Sequence, residues 1–240
     1  MRKHGFQFPL NMPQYLSAST FTAFIIVFSV VIIPLIPYPY QAPLITIYSF
    51  LHVLFLILYI QTTLINPTDS GNILSKSKHC SICNKTKNFS SKHCARCDRC
   101  TLDFDHHCKW VNNCIGKLNY RQFIALIIVG NLLCFYNAGV AGYAICISVK
   151  ANNRRISDIV VIAGFAGLNF MIAAFLLHLV CFHMFLWVKH ISTYEFIVSK
   201  RMKIGFVYET AENNVQESEF KGVQLDITKS SWHFHVNIIY

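Results

Sequence analysis

The stretch DHHCKWVNNCIG, residues 105–116, packs two histidines and two cysteines into nine positions, directly after an aspartate. Five more cysteines precede it, at Cys80, Cys83, Cys94, Cys97 and Cys100, with His93 among them. Between residues 79 and 116 the chain is dominated by Cys, His and Lys, with few apolar residues. Such a segment cannot bury enough surface to fold by itself, so a cross-link must hold it. Disulfide and metal are the two choices, and the compartment decides between them.

The flanking sequence settles the surroundings. Four runs are almost free of charge, at residues 20–36, 44–65, 123–149 and 159–188. Each supplies the roughly 20 apolar residues of a bilayer-spanning helix. The whole chain is 54% hydrophobic and 13% charged, where a soluble domain carries about 25% charge. This excludes an ordinary soluble protein. The expected fold is an all-α integral membrane protein, with four transmembrane helices and a small zinc-bound cysteine-rich domain between helices 2 and 3. The first run follows Arg2 and Lys3 as a secretory leader would. It is too long for one, however, and ends in PLIPYPYQAP rather than a cleavage site, so it reads as a retained span. The organisation is a tail (1–19), helices 1 and 2 (20–65), the cysteine-rich domain (66–121), helices 3 and 4 (122–188) and a second tail (189–240).

Ten of the 21 Lys and Arg residues fall in residues 66–121, and the turn at residues 37–43 has none. The positive-inside rule therefore expects the cysteine-rich domain, and with it both termini, on the cytosolic side. Lys150, Arg154 and Arg155 would lie across the bilayer and are outnumbered. The net charge of +10 beside a bilayer points to anionic headgroups or phosphates, and no nucleic-acid partner is expected. Cytosolic thiols stay reduced, which selects metal over disulfides.

Zinc in a closed site takes four Cys or His ligands, and C-x-x-C steps are its usual knuckles. The segment offers seven cysteines and three histidines, with His79 at its margin. Two closed sites use eight of those ten and leave two over. A redox C-x-x-C lacks its βαβ surroundings, and no groove-reading helix follows a Cys pair.

Residues 93–123, HCARCDRCTLDFDHHCKWVNNCIGKLNYRQF, resemble the cysteine-rich domain of the DHHC protein S-acyltransferases, the palmitoyltransferases. The D-H-H-C tetrad, the C-x-W-V-x-N-C-I-G run and the Asn119-x-x-x-Phe123 step carry the likeness. Cys80-x-x-Cys83, NPTDSG at residues 66–71 and the placement of the insert between spans 2 and 3 agree with it. The resemblance implies two structural zinc ions, one on Cys80, Cys83, His93 and Cys100, the other on Cys94, Cys97, His107 and Cys114. It implies Cys108 as nucleophile, with His106 as its base and Asp105 behind the imidazole. It further implies acyl-CoA (palmitoyl-CoA) as co-substrate and cysteine-containing, membrane-associated proteins as acceptors. A multi-pass endomembrane location in the ER or Golgi goes with that reading. STYE, residues 192–195, is similar to the family's T-T-x-E motif and makes Thr193 the supporting partner expected for Asp105; S-T-x-E is equally a helix N-cap pattern.

Two departures stand out. The Lys/Arg-Pro-x-Arg pattern that relatives carry reads KNFS here, residues 87–90, and the C-terminal aromatic-and-Asn element has only Trp232 and Asn237 to offer. The alternative to an enzyme is therefore a catalytically weak or inactive zinc-stabilised membrane adaptor. A second alternative, haem or proton handling, would need the span histidines His52, His178 and His183. Gly130, Gly139 and Gly142 on the third span leave room for an acyl chain or for helix contact. Trp110 suits the membrane interface or the packing of the insert.

Overall fold

A computed structural model describes residues 1–71, 76–151 and 156–202. Four helices are long and apolar enough to cross a membrane: Met12–Leu35, Tyr38–Leu64, Tyr120–Lys150 and Ile156–Val188. The first opens as α1 (Met12–Ile26) and continues through a π-helical segment and a 3-10 turn. Helix α1 starts ahead of the first apolar run because Asn11 caps it, accepting from the Gln14 N–H at 3.0 Å, and because a proline sits in its first turn. Helix α2 is Tyr38–Leu64, α3 is Tyr120–Ala151 and α4 is Ile156–Val188.

Helices α3 and α4 form a hairpin fastened by amides. Asn131 Nδ2 donates to the Ala173 carbonyl at 2.6 Å, and Asn137 Nδ2 donates to Asn169 Oδ1 at 3.0 Å. Without water these side chains must find partners inside the bundle. A Cβ on Gly130 would meet Phe55 at 3.1 Å, so this glycine marks contact with α2, whereas Gly139 and Gly142 face open space.

The insert between α2 and α3 is built from three antiparallel hairpins. They are β1 (Ser77–Cys80) with β2 (Lys85–Asn88), β3 (Lys92–Cys94) with β4 (Arg99–Thr101), and β5 (His106–Cys108) with β6 (Asn113–Ile115). Each turns through one residue in the left-handed region just before its second strand: Asn84, Asp98 and Asn112. Asn and Asp tolerate that conformation better than other non-glycine residues.

Three polar clasps hold the insert, one to the end of α2, one to the segment that follows α2 and one to the N-terminal segment. Asn113 Nδ2 donates to the carbonyls of Thr62, Thr63 and Ile65 at 2.9–3.1 Å, satisfying the orphan end of α2. Asp69 accepts from Gly71 N, Asn88 N, Asn88 Nδ2 and Ser91 Oγ. Arg99, fully buried, donates to the carbonyls of Arg2 and Lys3 and to Asn66 and Asn113. Arg154, Arg155, Asn72 and everything from residue 203 on, including Trp232 and Asn237, lie outside the described residues.

Candidate active site

The hairpins bring the Cys and His side chains into two groups. Cys80, Cys83, His93 and Cys100 place one ligand atom each within 4.8 Å of one another, and so do Cys94, Cys97, His107 and Cys114. A tetrahedral zinc with bonds of about 2.3 Å to sulfur and 2.05 Å to nitrogen sets ligand atoms about 3.6–3.8 Å apart. Cys83 Sγ lies 3.6 Å from Cys100 Sγ and 3.2 Å from His93 Nδ1. His107 Nδ1 lies 3.3, 3.8 and 3.9 Å from the sulfurs of Cys97, Cys94 and Cys114. Both donor sets, three sulfurs and one imidazole nitrogen, therefore fit a metal ion. The two sets interleave along the chain, since β3 gives His93 to the first and Cys94 to the second.

The third hairpin differs from the first two in one decisive way. In the first, Cys80 begins a turn that Cys83 closes; in the second, Cys94 and Cys97 do the same. In the third, Cys108 stands at the opening position, and Val111 occupies the place of the closing cysteine. The fold thus repeats a metal knuckle and withholds one ligand. Six of the seven insert cysteines belong to the two donor groups, and Cys108 belongs to neither.

What Cys108 has instead is an imidazole. His106 Nδ1 sits 2.7 Å from Asp105 Oδ2, and Cys108 is the other group that acts on the same ring. Asp105 is 4% exposed, and its other oxygen accepts the Thr193 main-chain N–H at 2.8 Å. Thr193 begins a helix over residues 193–202, α5. Ser192 caps it, its Oγ accepting from the Glu195 N–H, while Glu195 Oε2 accepts from the Ser192 N–H. The capping box leaves the Thr193 N–H free to reach Asp105. Thr193 therefore meets Asp105 through its backbone, and its buried hydroxyl has no hydrogen-bond partner.

The electrostatics favour a charged pair. Burial works against imidazolium at His106, but hydrogen bonds and charge from Asp105 and Cys108 outweigh it and lift the pKa to about 9. Burial pushes the Cys108 thiol up; the His106 hydrogen bond and charge, with the Val111 and Trp110 N–H groups, bring it below its ordinary value. Burial likewise raises Asp105, and the bond to His106 and the Thr193 N–H hold it below the usual carboxylate range. Cys108 also packs in the apolar cluster shared with Phe55, Phe123 and Leu126 of the membrane helices, whereas Cys94, Cys97 and Cys114 pack around Phe104 in a separate one. The candidate thiol faces the side of the insert that packs on the helices.

Of the span histidines, His178 is exposed and His52 is buried with both ring nitrogens unpartnered. His183 lies against the Asp105–His106 pair. His52, His178 and His183 form no common donor group among the described residues. The sequence singles out His183 only for haem or proton handling; its place beside Asp105 leaves no periodic signal in an apolar run.

Four helices fit to cross a membrane and an insert able to hold metal define a multi-pass membrane protein with a thiol left over beside an Asp–His pair. The DHHC palmitoyltransferase family model matches residues 73–200, and the chain belongs to that family. It is 29% identical over 150 residues to Probable protein S-acyltransferase 20 of Arabidopsis thaliana, covering 56% of this chain and 21% of that one. It is 33% identical over 111 residues to Palmitoyltransferase ERF2 of Yarrowia lipolytica, covering 41% and 26%. With Palmitoyltransferase ERF2 of Kluyveromyces lactis it shares 29% over 147 residues, covering 61% and 40%. The matches thus span well under half the length of these relatives.

Proposed function

We propose that this protein is an S-acyltransferase that moves a long-chain acyl group, palmitoyl by family resemblance, from acyl-CoA to cysteines of membrane-associated proteins. The observation that carries the reading is the exclusion of Cys108 from both donor groups, two residues from a carboxylate-backed imidazole that acts on its thiol. Cys80, Cys83, His93 and Cys100 would hold one zinc ion and Cys94, Cys97, His107 and Cys114 the other. Zinc there would supply cross-linking alone, fixing the hairpins that carry Asp105, His106 and Cys108.

The reaction then has two exchanges. His106 takes the Cys108 proton, and the thiolate attacks the acyl-CoA carbonyl. The carbon–sulfur bond to CoA breaks, and the departing thiolate takes the proton back from His106. An acceptor thiol next gives its proton to His106, attacks the acyl-Cys108 carbonyl and releases Cys108 thiolate, which is reprotonated. Asp105 holds the imidazole through Nδ1 and stabilises it when charged, its own place fixed by the Thr193 N–H. Each step trades one thioester for another, so the demand on the protein is positioning and an available thiolate. The apolar cluster around Cys108 suits an acyl chain that partitions into the bilayer at about 0.8 kcal/mol per methylene. The charge distribution supports an insert on the cytosolic side, and the family resemblance an ER or Golgi membrane.

Incubation with labelled palmitoyl-CoA should give a hydroxylamine-sensitive adduct on Cys108. Cys108→Ser should abolish it with zinc content unchanged. An adduct that survives the substitution refutes the assignment.

A further inference from the structure

The Asp105–His106 pair has a third neighbour, which the two exchanges above leave without a role. His183 of α4, 3% exposed, puts a ring nitrogen within 4.8 Å of both an Asp105 oxygen and a His106 nitrogen. Its ring centroid is 6.0 Å from that of His106. Phe123 of α3 stands edge-on to both rings, 5.1 Å from His106 and 5.2 Å from His183. One turn earlier on α3, the Tyr120 hydroxyl and His183 Nδ1 share a hydrogen bond of 3.1 Å.

A buried imidazole in an apolar span is costly without a partner. Here the Tyr120 bond meets that need and fixes which way the ring faces. His106 is tied at Nδ1 to Asp105, which alone leaves its ring free to pivot about that bond. Phe123 and His183 close the membrane side of the slot, so the ring cannot swing off Cys108.

We propose that His183, oriented by Tyr120, is a positioning residue that holds the His106 imidazole against Cys108. The inference rests on reading Cys108 as the acylated thiol. It makes the α3–α4 hairpin a working part of the site, since α3 supplies Tyr120 and Phe123 and α4 supplies His183.

The test uses the full-length, zinc-loaded protein in lipid nanodiscs, with His183→Leu, His183→Asn and Tyr120→Phe. Three quantities are read: palmitoyl-CoA turnover, the rate of Cys108 alkylation by iodoacetamide at fixed pH, and zinc content. Loss of the wall should lower kcat and the alkylation rate in His183→Leu by about tenfold or more, with KM within about twofold of wild type. Asparagine, whose amide can still meet the Tyr120 hydroxyl, should recover about a third or more of the loss on a logarithmic scale, and Tyr120→Phe should slow both rates about threefold. Rates in His183→Leu within about twofold of wild type overturn the proposal, as does an Asn variant no better than Leu. Should His183→Leu lose zinc, Tyr120→Phe decides: slowing supports the proposal and unchanged rates overturn it. A wild-type protein that forms no acyl adduct defeats the acyl-transfer reading alone, because alkylation of Cys108 still reports whether His183 positions the imidazole.

Discussion

Thr193→Pro breaks one hydrogen bond at the centre of the candidate site. Thr193 is the first residue of α5, directly after its Ser192 cap. Proline is well accepted at that position, and the extended backbone it imposes on the preceding residue is the one an N-cap already adopts. The substitution puts a ring carbon where the N–H reaches Asp105 Oδ1 at 2.8 Å, so the carboxylate loses that bond and must also draw back, and the loss worked below is a lower bound. A hydrogen bond to a buried carboxylate contributes about 1.5–3 kcal/mol. If Asp105 must be held for His106 to work, that converts to a ten- to hundredfold loss, at about 1.4 kcal/mol per tenfold. Thr193→Ala, which deletes a hydroxyl with no partner, should stay within about threefold of wild type. The assay is the rate of Cys108 acylation at saturating palmitoyl-CoA, with a thermal midpoint to confirm folding. Equal activity in Thr193→Pro and wild type refutes the reasoning, and so does an Ala variant as damaged as the Pro variant.

Three further outcomes follow from the buried polar contacts. Arg99→Met should destabilise the insert by at least about 3 kcal/mol, read as faster zinc release to a chelator, because two carbonyls and two amide oxygens lose a charged donor; Lys should recover only part. Asp69→Asn should cost about 1 kcal/mol at pH 7, discounted for partial exposure, since an amide cannot accept all four donors. Although burial raises the Asp69 pKa, its hydrogen bonds leave it lowered on balance in the folded state. Its contribution is thus present above the unfolded value and lost as pH falls through the folded one, so the gap between wild type and variant in thermal melts should close on acidification. Leucine at Asn137 and Asn169, singly and together, should give a coupling of about 0.6–1.7 kcal/mol in a double-mutant cycle, measured by unfolding in detergent.

The four spans were legible because hydropathy needs only composition over a long window, but their ends were not. Residues 12–19 are mixed in polarity, and only the Asn11 cap and a first-turn proline carry α1 back to Met12. PLIPYPYQAP reads as a loop, yet α2 begins inside it at Tyr38, since a proline in the first turn gives up an N–H that has no helical partner anyway. Cysteine and histidine identities marked the donors. The hairpins that gather them were invisible, because strands of three or four residues are too short for an alternation pattern. The signal that could have found them is an Asn or Asp four residues after the opening cysteine, at positions 84, 98 and 112. Counting in that frame also exposes Val111 where a ligand would stand. STYE pointed to Thr193 as the partner of Asp105, and the geometry makes that contact with the amide that any residue but proline possesses. His183 depended on helix packing, which no local pattern records.

The spare thiol is open to direct measurement. Mild alkylation of the zinc-loaded full-length protein, followed by peptide mapping and metal analysis, should label Cys108 first among the seven insert cysteines and leave two zinc ions per chain. Protection of Cys108 together with labelling of a cysteine from either donor group, at unchanged zinc content, contradicts the account.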